Sequence, residues 1–279
     1  MRRWLVFGLS GMLGRAVAAQ LPLDVEVDAP TRRSFAETPD ARLHWRQASL
    51  ADFVPDEAGY DAILSLGPLD LFADWYQAHA VRTSRIVAIG SCSLRFKADS
   101  PDPAERELAA GLQSAEDRLF ALASQRGVAA TVLRPTLVYG NGMDHSLTPM
   151  LEFARRWGVL PMPARAQGLR QPVHVDDVAQ AVLASLEPQP GIGRLYELPG
   201  GEALALAAML RRLARVRLPG ARIVVLPNGL FRWGLRLGPW LRGRNLSAAG
   251  IVHRLGQDQT ADPAPAHRDL GFSPRVFDP

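Results

Sequence analysis

Three glycines spaced three apart follow the first apolar run of this chain, and that arrangement leaves few folds open. Trp4-Leu5-Val6-Phe7 reads as a short buried strand, Gly8, Gly11 and Gly14 come next, and Ala16 to Leu21 has helical character. Strand, glycine turn and helix in this order suit a dinucleotide for physical reasons. Gly8 permits the tight turn, Gly11 lets the backbone approach a pyrophosphate, and Gly14 lets helix and strand pack closely. The helix start then offers free N–H groups and a partial positive charge. Ser10, Met12 and Leu13 belong to the same candidate site. The bland alternative is a glycine-rich turn with no ligand. A Walker-type phosphate loop does not fit, because Gly14 is followed by Arg15-Ala16 rather than by Lys and Ser or Thr.

Val25-Glu26-Val27 reads as the second strand and runs into Asp28 and then Arg32-Arg33. This strand end normally meets the adenosine ribose. An acidic residue there accepts the 2′-hydroxyl of NAD, and arginines favour the 2′-phosphate of NADP. Asp28 falls within the strand rather than at its tip, so Arg32 and Arg33 tilt the expectation to NADP. Solvated surface charge is the other reading of the same residues. Leu43 to Gln47 is a third strand. Ala62 to Pro68 is a fourth, ending in Ser65-Leu66-Gly67, small enough for a cofactor to pass. Arg85 to Ile89 is the fifth and leads into Gly90-Ser91-Cys92-Ser93. A helix from about Pro103 to Gln125 precedes the sixth, Ala130 to Pro135. Apolar β-branched runs alternating with helical segments predict an α/β fold: a Rossmann-type doubly wound parallel sheet covered on both faces. Ligands of such sheets sit beyond the carboxyl ends of the strands.

The second half is less regular. A helix is expected from Met150 to Trp157, then strand, cap and helix start over Leu169 to Ala179, with Asp176 or Asp177 as the cap. Another helix is expected from Ala203 to about Val216. The division predicted is a cofactor domain over 1–145, its core also taking in about 168–190, and a small C-terminal substrate lobe over 146–279. From Ala203 to Gln257 there is no acidic residue. Within it, Asn228 to Arg244 interleaves Phe231, Trp233, Leu235, Leu237, Trp240 and Leu241 with four arginines. That pattern fits peripheral contact with an anionic membrane and action on a lipid-linked substrate, a phosphate-rich ligand, or a lobe helix with its apolar side buried.

The whole chain carries a formal charge of +4, but its basic residues are nearly all arginine, Lys97 being the one lysine. Such a bias reflects base composition, so no nucleic-acid partner is expected. No apolar run approaches the roughly 18–20 residues of a membrane span, and Met1-Arg2-Arg3 leads into a strand rather than a signal peptide. The single cysteine, Cys92, excludes an internal disulfide and fits a reducing cytoplasm. No metal-ligand spacing is evident. A homodimer is one option the sequence leaves open.

The order of motifs resembles the extended or atypical short-chain dehydrogenase/reductase superfamily, in its NAD-dependent epimerase/dehydratase group. Gly8 to Gly14, Ser91-Cys92-Ser93 and Ala115-Glu116-Asp117-Arg118-Leu119 carry the first half of the likeness. Leu133-Arg134-Pro135-Thr136-Leu137-Val138-Tyr139-Gly140, Gln171 to Ala179 and the tail Asp269 to Arg275 carry the rest. The resemblance implies NAD(P) at the sheet edge, with Pro135 beside it, and a nucleotide sugar or related metabolite as substrate under the small lobe.

It does not carry the chemistry across. Active members use a Tyr-x-x-x-Lys pair, in which the lysine lowers the tyrosine pKa for proton transfer. Counting back from Ala115-Glu116 puts Leu108 and Leu112 in those slots. Three readings follow: an oxidoreductase or epimerase whose proton comes from elsewhere, a non-catalytic NAD(P)H sensor or assembly module, or a fold that has lost its cofactor. For the first, Ser91, Ser93 and Lys97 lie just past the fifth strand. Lys97 serves as an acid if burial shifts it, and is otherwise an exposed loop lysine. Tyr139 and His174 read as structural, and Cys92 as a buried small residue.

Overall fold

The computed structural model describes residues 1–33, 40–144, 147–187, 193–237 and 248–279. The chain opens with β1 (Arg2–Phe7), α1 (Met12–Ala18), β2 (Val25–Thr31), β3 (Leu43–Gln47) and β4 (Ala62–Ser65). It continues through α2 (Leu69–Ala78), β5 (Arg85–Ile89), α3 (Ser93–Lys97), α4 (Pro103–Gln125) and β6 (Ala129–Pro135). Then come β7 (Val138–Tyr139), α5 (Leu147–Trp157), β8 (Val159–Pro163), β9 (Leu169–Arg170), β10 (Val173–His174), α6 (Val175–Ala184) and β11 (Arg194–Leu198). Last are β12 (Leu204–Ala205), α7 (Leu206–Arg217), β13 (Arg222–Leu226), α8 (Asn228–Leu237), α9 (Ala248–Arg254) and α10 (Ala264–Leu270).

Seven strands form one parallel sheet in the order β11-β6-β5-β4-β1-β2-β3. The predicted Rossmann-type sheet is what forms. Strand side chains alternate in direction, and both faces of this sheet are covered. Trp4 and Val6 therefore enter one core with Val17, Val178 and Val182, while Leu5 and Phe7 enter a second with Phe72, Tyr76 and Leu119. Chain order reverses between β1 and β4, which opens a crevice at their carboxyl ends.

Helix α4 occupies the expected span. Asp102 caps it, accepting from Ala104 N–H at 3.1 Å, and Pro103 suits the first turn, where no N–H is needed. Three other elements differ from expectation. Helix α1 begins at Met12, directly after Gly11, four residues earlier than its apolar pattern suggested. Helix α6 is capped by His174, whose Nδ1 accepts from Asp176 N–H at 3.2 Å, so Asp176 and Asp177 lie in the first turn instead. Asp177 is occupied by Arg275 at 2.7 Å. Helix α7 begins at Leu206, because Leu204 and Ala205 first pair antiparallel with Arg170 and Leu169.

A third core gathers Tyr139, Leu151, Leu160, Met162, Leu210 and Phe277 beside the sheet edge. In it β13 pairs parallel with β8.

Candidate active site

The carboxyl ends of the strands open on a cleft of about 470 Å³. One wall is the glycine turn. Gly8 has φ +83°, a region that costs glycine little. Gly11 N–H donates to the Gly8 carbonyl at 2.9 Å. At Gly14 a Cβ would stand 2.3 Å from that same carbonyl oxygen, closer than real Cβ atoms come. Gly11 and Met12 line the cleft, and no side chain caps α1. A bare backbone therefore faces the space where the sequence places a pyrophosphate, and the cradle fits that group.

The candidate cofactor residues separate by position. Ser10 lies behind the turn, its Oγ 3.3 Å from Thr31 Oγ1, and Arg33 N–H donates to Thr31 Oγ1 at 3.2 Å. The exposed Arg33 side chain lines the cleft, and Arg32 is exposed beside it. Asp28 lies in mid-strand, 3% exposed, and takes a 2.6 Å hydrogen bond from Arg3. Leu13 packs against the first core, and Gly8 and Gly14 form the turn without lining the cleft. Ser65 ends β4 fully buried, its Oγ without a hydrogen-bond partner among the described residues. Leu66 N–H bonds the Phe7 carbonyl at 3.0 Å, and Gly67 has open space where a Cβ would go. Pro135 is buried at the end of β6 and accepts from Cys92 N–H at 3.1 Å.

Of the candidate catalytic residues, the cleft brings two together. Ser91 Oγ donates to Ser93 Oγ at 2.9 Å, and Ser93 N–H returns to Ser91 Oγ at 3.1 Å. Both line the cleft. Lys97 ends the same short helix and does not line it. It is half-buried rather than a loop lysine, and its pKa is pushed down by burial first and then by Arg254, with Glu105 opposing. Cys92 is buried, donates from Sγ to the Arg134 carbonyl, and burial pushes its thiol up to about 12. It is no nucleophile.

The chain's four tyrosines all lie outside this lining, as do Leu108 and Leu112 of α4. Leu108 is 44% exposed. Tyr139 faces the third core, edge-on to His174 and Phe277, with Asp278 N–H donating to its hydroxyl at 3.1 Å. Both Tyr139 and His174 have the structural roles expected.

Arg170 was missed. It sits on β9 with 7% exposure and lines the cleft with Gln171 and Gln259. Its Nη1 donates to the carbonyls of Leu169 and Gln257 at 2.8 Å, and Nη2 to that of Arg254 at 2.7 Å. Burial, with Arg254 nearby, lowers its pKa to about 10, so it stays a cation at neutral pH. An arginine heading Gln171 to Ala179 was the available signal, and only the three-dimensional placement shows that it is buried.

Residues 99–198 match the model of the NAD dependent epimerase/dehydratase family. Across 182 residues the chain is 22% identical to UDP-glucose 4-epimerase of Vibrio cholerae, covering 64% of this chain and 52% of that enzyme. The aligned part thus spans about half the length of that relative. With 2-alkyl-3-oxoalkanoate reductase of Stenotrophomonas maltophilia it is 26% identical over 98% of this chain and 94% of the reductase. In fold it is similar to UDP-glucuronic acid 4-epimerase of Bacillus cereus, solved with UDP-glucuronic acid and NAD. The TM-score is 0.72 at 14% identity, over 99% of this chain and 95% of the other. The chain is thus similar to the NAD dependent epimerase/dehydratase family over residues 99–198, and over nearly its whole length it shares the fold of the solved epimerase.

Proposed function

We propose that the chain is an NADP-binding oxidoreductase or epimerase acting on a nucleotide sugar or related metabolite, with its proton chemistry moved away from the Tyr-x-x-x-Lys pair. The observation that carries this reading is the glycine turn at the reversal of strand order, opening directly on the cleft. Gly8, Ser10, Gly11, Met12, Leu13 and Gly14 form the cradle for a pyrophosphate. Arg32 and Arg33 take the 2′-phosphate, and Ser65 to Gly67 with Pro135 flank the path between the two ends of the cofactor. When bound, the cofactor supplies hydride acceptance and return. Residues 146–279 form the substrate lobe, less about 168–190 and also β11 and α10, which the expected division gave to the lobe but which join the sheet and its first core.

The chain's own part is to hold and orient. Ser91 spends its hydroxyl hydrogen on Ser93, which leaves the Ser93 hydroxyl to donate to a substrate oxygen in the cleft. Arg170 presents a buried positive charge to an anionic ligand, strengthened by its desolvated setting. Lys97, one turn along α3 with its pKa lowered by burial, lies off the cleft lining and is given no direct part. The two relatives described above are named for sugar or carbonyl chemistry, which supports this reading.

A second reading has its own observation: every tyrosine and the one lysine lie off the cleft lining. On that reading the chain is a non-catalytic NAD(P)H-binding module.

Calorimetric titration with NADPH, NADP, NADH and NAD, beside a Gly11→Asp variant, tests the cofactor site. Absence of binding by all four overturns both readings. Binding followed by hydride transfer to a UDP-sugar or a ketone, reduced at least tenfold in Ser93→Ala, supports the first. Tight binding without transfer to any carbonyl supports the second.

A further inference from the structure

The charge of this chain is divided very unevenly. Ten arginines and no carboxylate fall between Ala203 and Gln257, while the other 224 residues sum to −6. Among the described residues, only Arg212, with Glu202, and Arg254, with Glu105, are neutralised by ion pairs within that stretch. Charge asymmetry of this size marks a chain that meets an extended surface of opposite sign.

Exposed apolar side chains fall in the same part of the molecule. Trp157 is 62% exposed, Trp233 63%, Leu230 58% and Val225 53%. They lie on α5, β13 and α8, three elements that all pack against β8. Trp157 ends α5, and the next residue, Gly158, accepts from Arg222 N–H at 2.9 Å. Val224 and Val225 lie on β13, which is paired with β8 on one side only. Leu230 and Trp233 follow on α8, whose Phe231 turns into the fold instead. Arg155 and Arg156 are exposed before Trp157, with the Arg156 guanidinium 5.8 Å from the Trp157 ring centre. Glu152 is the sole carboxylate of α5.

Large rings left in water are costly unless something covers them, and tryptophan prefers the boundary between apolar and wet surroundings. A second copy of this chain is a poor cover, because arginines would face arginines. Nucleic acid would use the charge and the rings, but it offers nothing to Val224, Val225 and Leu230. Anionic lipid satisfies both kinds of residue. We propose that this surface rests on an anionic bilayer, with Trp157, Leu230 and Trp233 in the interfacial layer and Arg155, Arg156 and Arg222 against the headgroups. The contact is peripheral: among the described residues no helix is long and apolar enough to cross a membrane. Membrane contact was one of three readings left open for Asn228 to Arg244, and the surface proposed here adds α5 and β13 to α8. Residues 238–247, with Trp240, Leu241, Arg242 and Arg244, lie outside the described residues. This proposal is independent of the cofactor reading.

The test is co-sedimentation of the full chain with phosphatidylcholine vesicles, with and without phosphatidylglycerol, at low and high salt. Wild type is expected to pellet with the anionic vesicles at low salt and to be released by salt. Arg156→Glu with Arg222→Glu weakens pelleting at least tenfold, since each arginine near such a surface contributes about a fivefold factor. Trp157→Ser with Trp233→Ser weakens it similarly while leaving the thermal midpoint in place, because both rings are exposed. Wild type remaining in the supernatant at low salt overturns the proposal, and so does pelleting unchanged in both double variants. A concentration-dependent dimer broken by the same variants assigns the surface to a second copy. Affinity for a short DNA duplex without vesicle binding assigns it to nucleic acid.

Discussion

Arg3 Nη2 donates to Asp28 Oδ2 at 2.6 Å, and this pairing decides what the end of β2 offers a ligand. The carboxylate at the middle of that strand is buried and engaged, with the Arg46 guanidinium 3.9 Å from its other oxygen. What remains past the strand end is Arg32 and Arg33. Arg32→Ser with Arg33→Ser is expected to cost NADPH at least tenfold in affinity and NADH little, as read by calorimetry. Equal losses for both cofactors would show that the arginines do not read the 2′-phosphate.

Gly14 and Gly11 separate folding from binding. A methyl group on Gly14 meets the Gly8 carbonyl and the Leu9 backbone, both fixed by β1. Gly14→Ala is therefore expected to cost about 3 kcal/mol or more in urea unfolding. Gly11 has φ −80° and ψ −178°, which any residue adopts, and its Cβ would meet only the Gly8 carbonyl, at 3.2 Å. Gly11→Asp is expected to keep most of the stability and lose the cofactor.

Cys92 predicts its own silence. With 1% exposure and a pKa near 12, the thiol stays protonated and covered. Ellman's reagent at pH 8 should label it no faster than the native state opens, and fully in denaturant. Rapid labelling of native protein would contradict the packing between Ser91 and Ser93.

Lys97 sets a pH dependence with a definite sign. Burial lowers its folded pKa below that of the unfolded chain. Between those two values the unfolded state binds more protons, so stability rises with pH there and is flat below. Urea midpoints from pH 7 to 10.5 should therefore climb more in wild type than in Lys97→Met, which should also be the more stable at pH 7. The comparison must be a difference, because burial raises Tyr60, Tyr76 and Tyr139 and works the opposite way near pH 10. An identical slope in both proteins would place Lys97 in water.

The inner strands β1, β4, β5 and β6 were legible because they are largely apolar on both faces, whereas the edge strand β11 mixes polar and apolar residues and was not anticipated. Glycine spacing located the turn because Gly8 and Gly14 answer steric demands that no other residue meets. Arg170 was not legible. Its place in the cleft depends on carbonyls of residues 254 and 257, far along the chain, and no local pattern encodes that meeting. Several residues of the family motifs serve structure. Glu116 is fully buried against Arg134, whose Nε lies 2.9 Å from its carboxylate, joining two motifs behind the cleft. The caps of α1 and α6 were misjudged because glycine and histidine did work that sequence preference assigns to acidic residues or to a later start.

The position of β11 has a consequence for how the chain comes together. It pairs with β6, yet residues 136–193 lie between the two. During synthesis Thr131, Val132 and Leu133 are made long before their partner. Until β11 arrives, β6 is an open, apolar strand edge able to pair with a neighbouring chain. Closure of that edge must therefore wait on residues 136–193, and refolding yield is expected to fall as protein concentration rises.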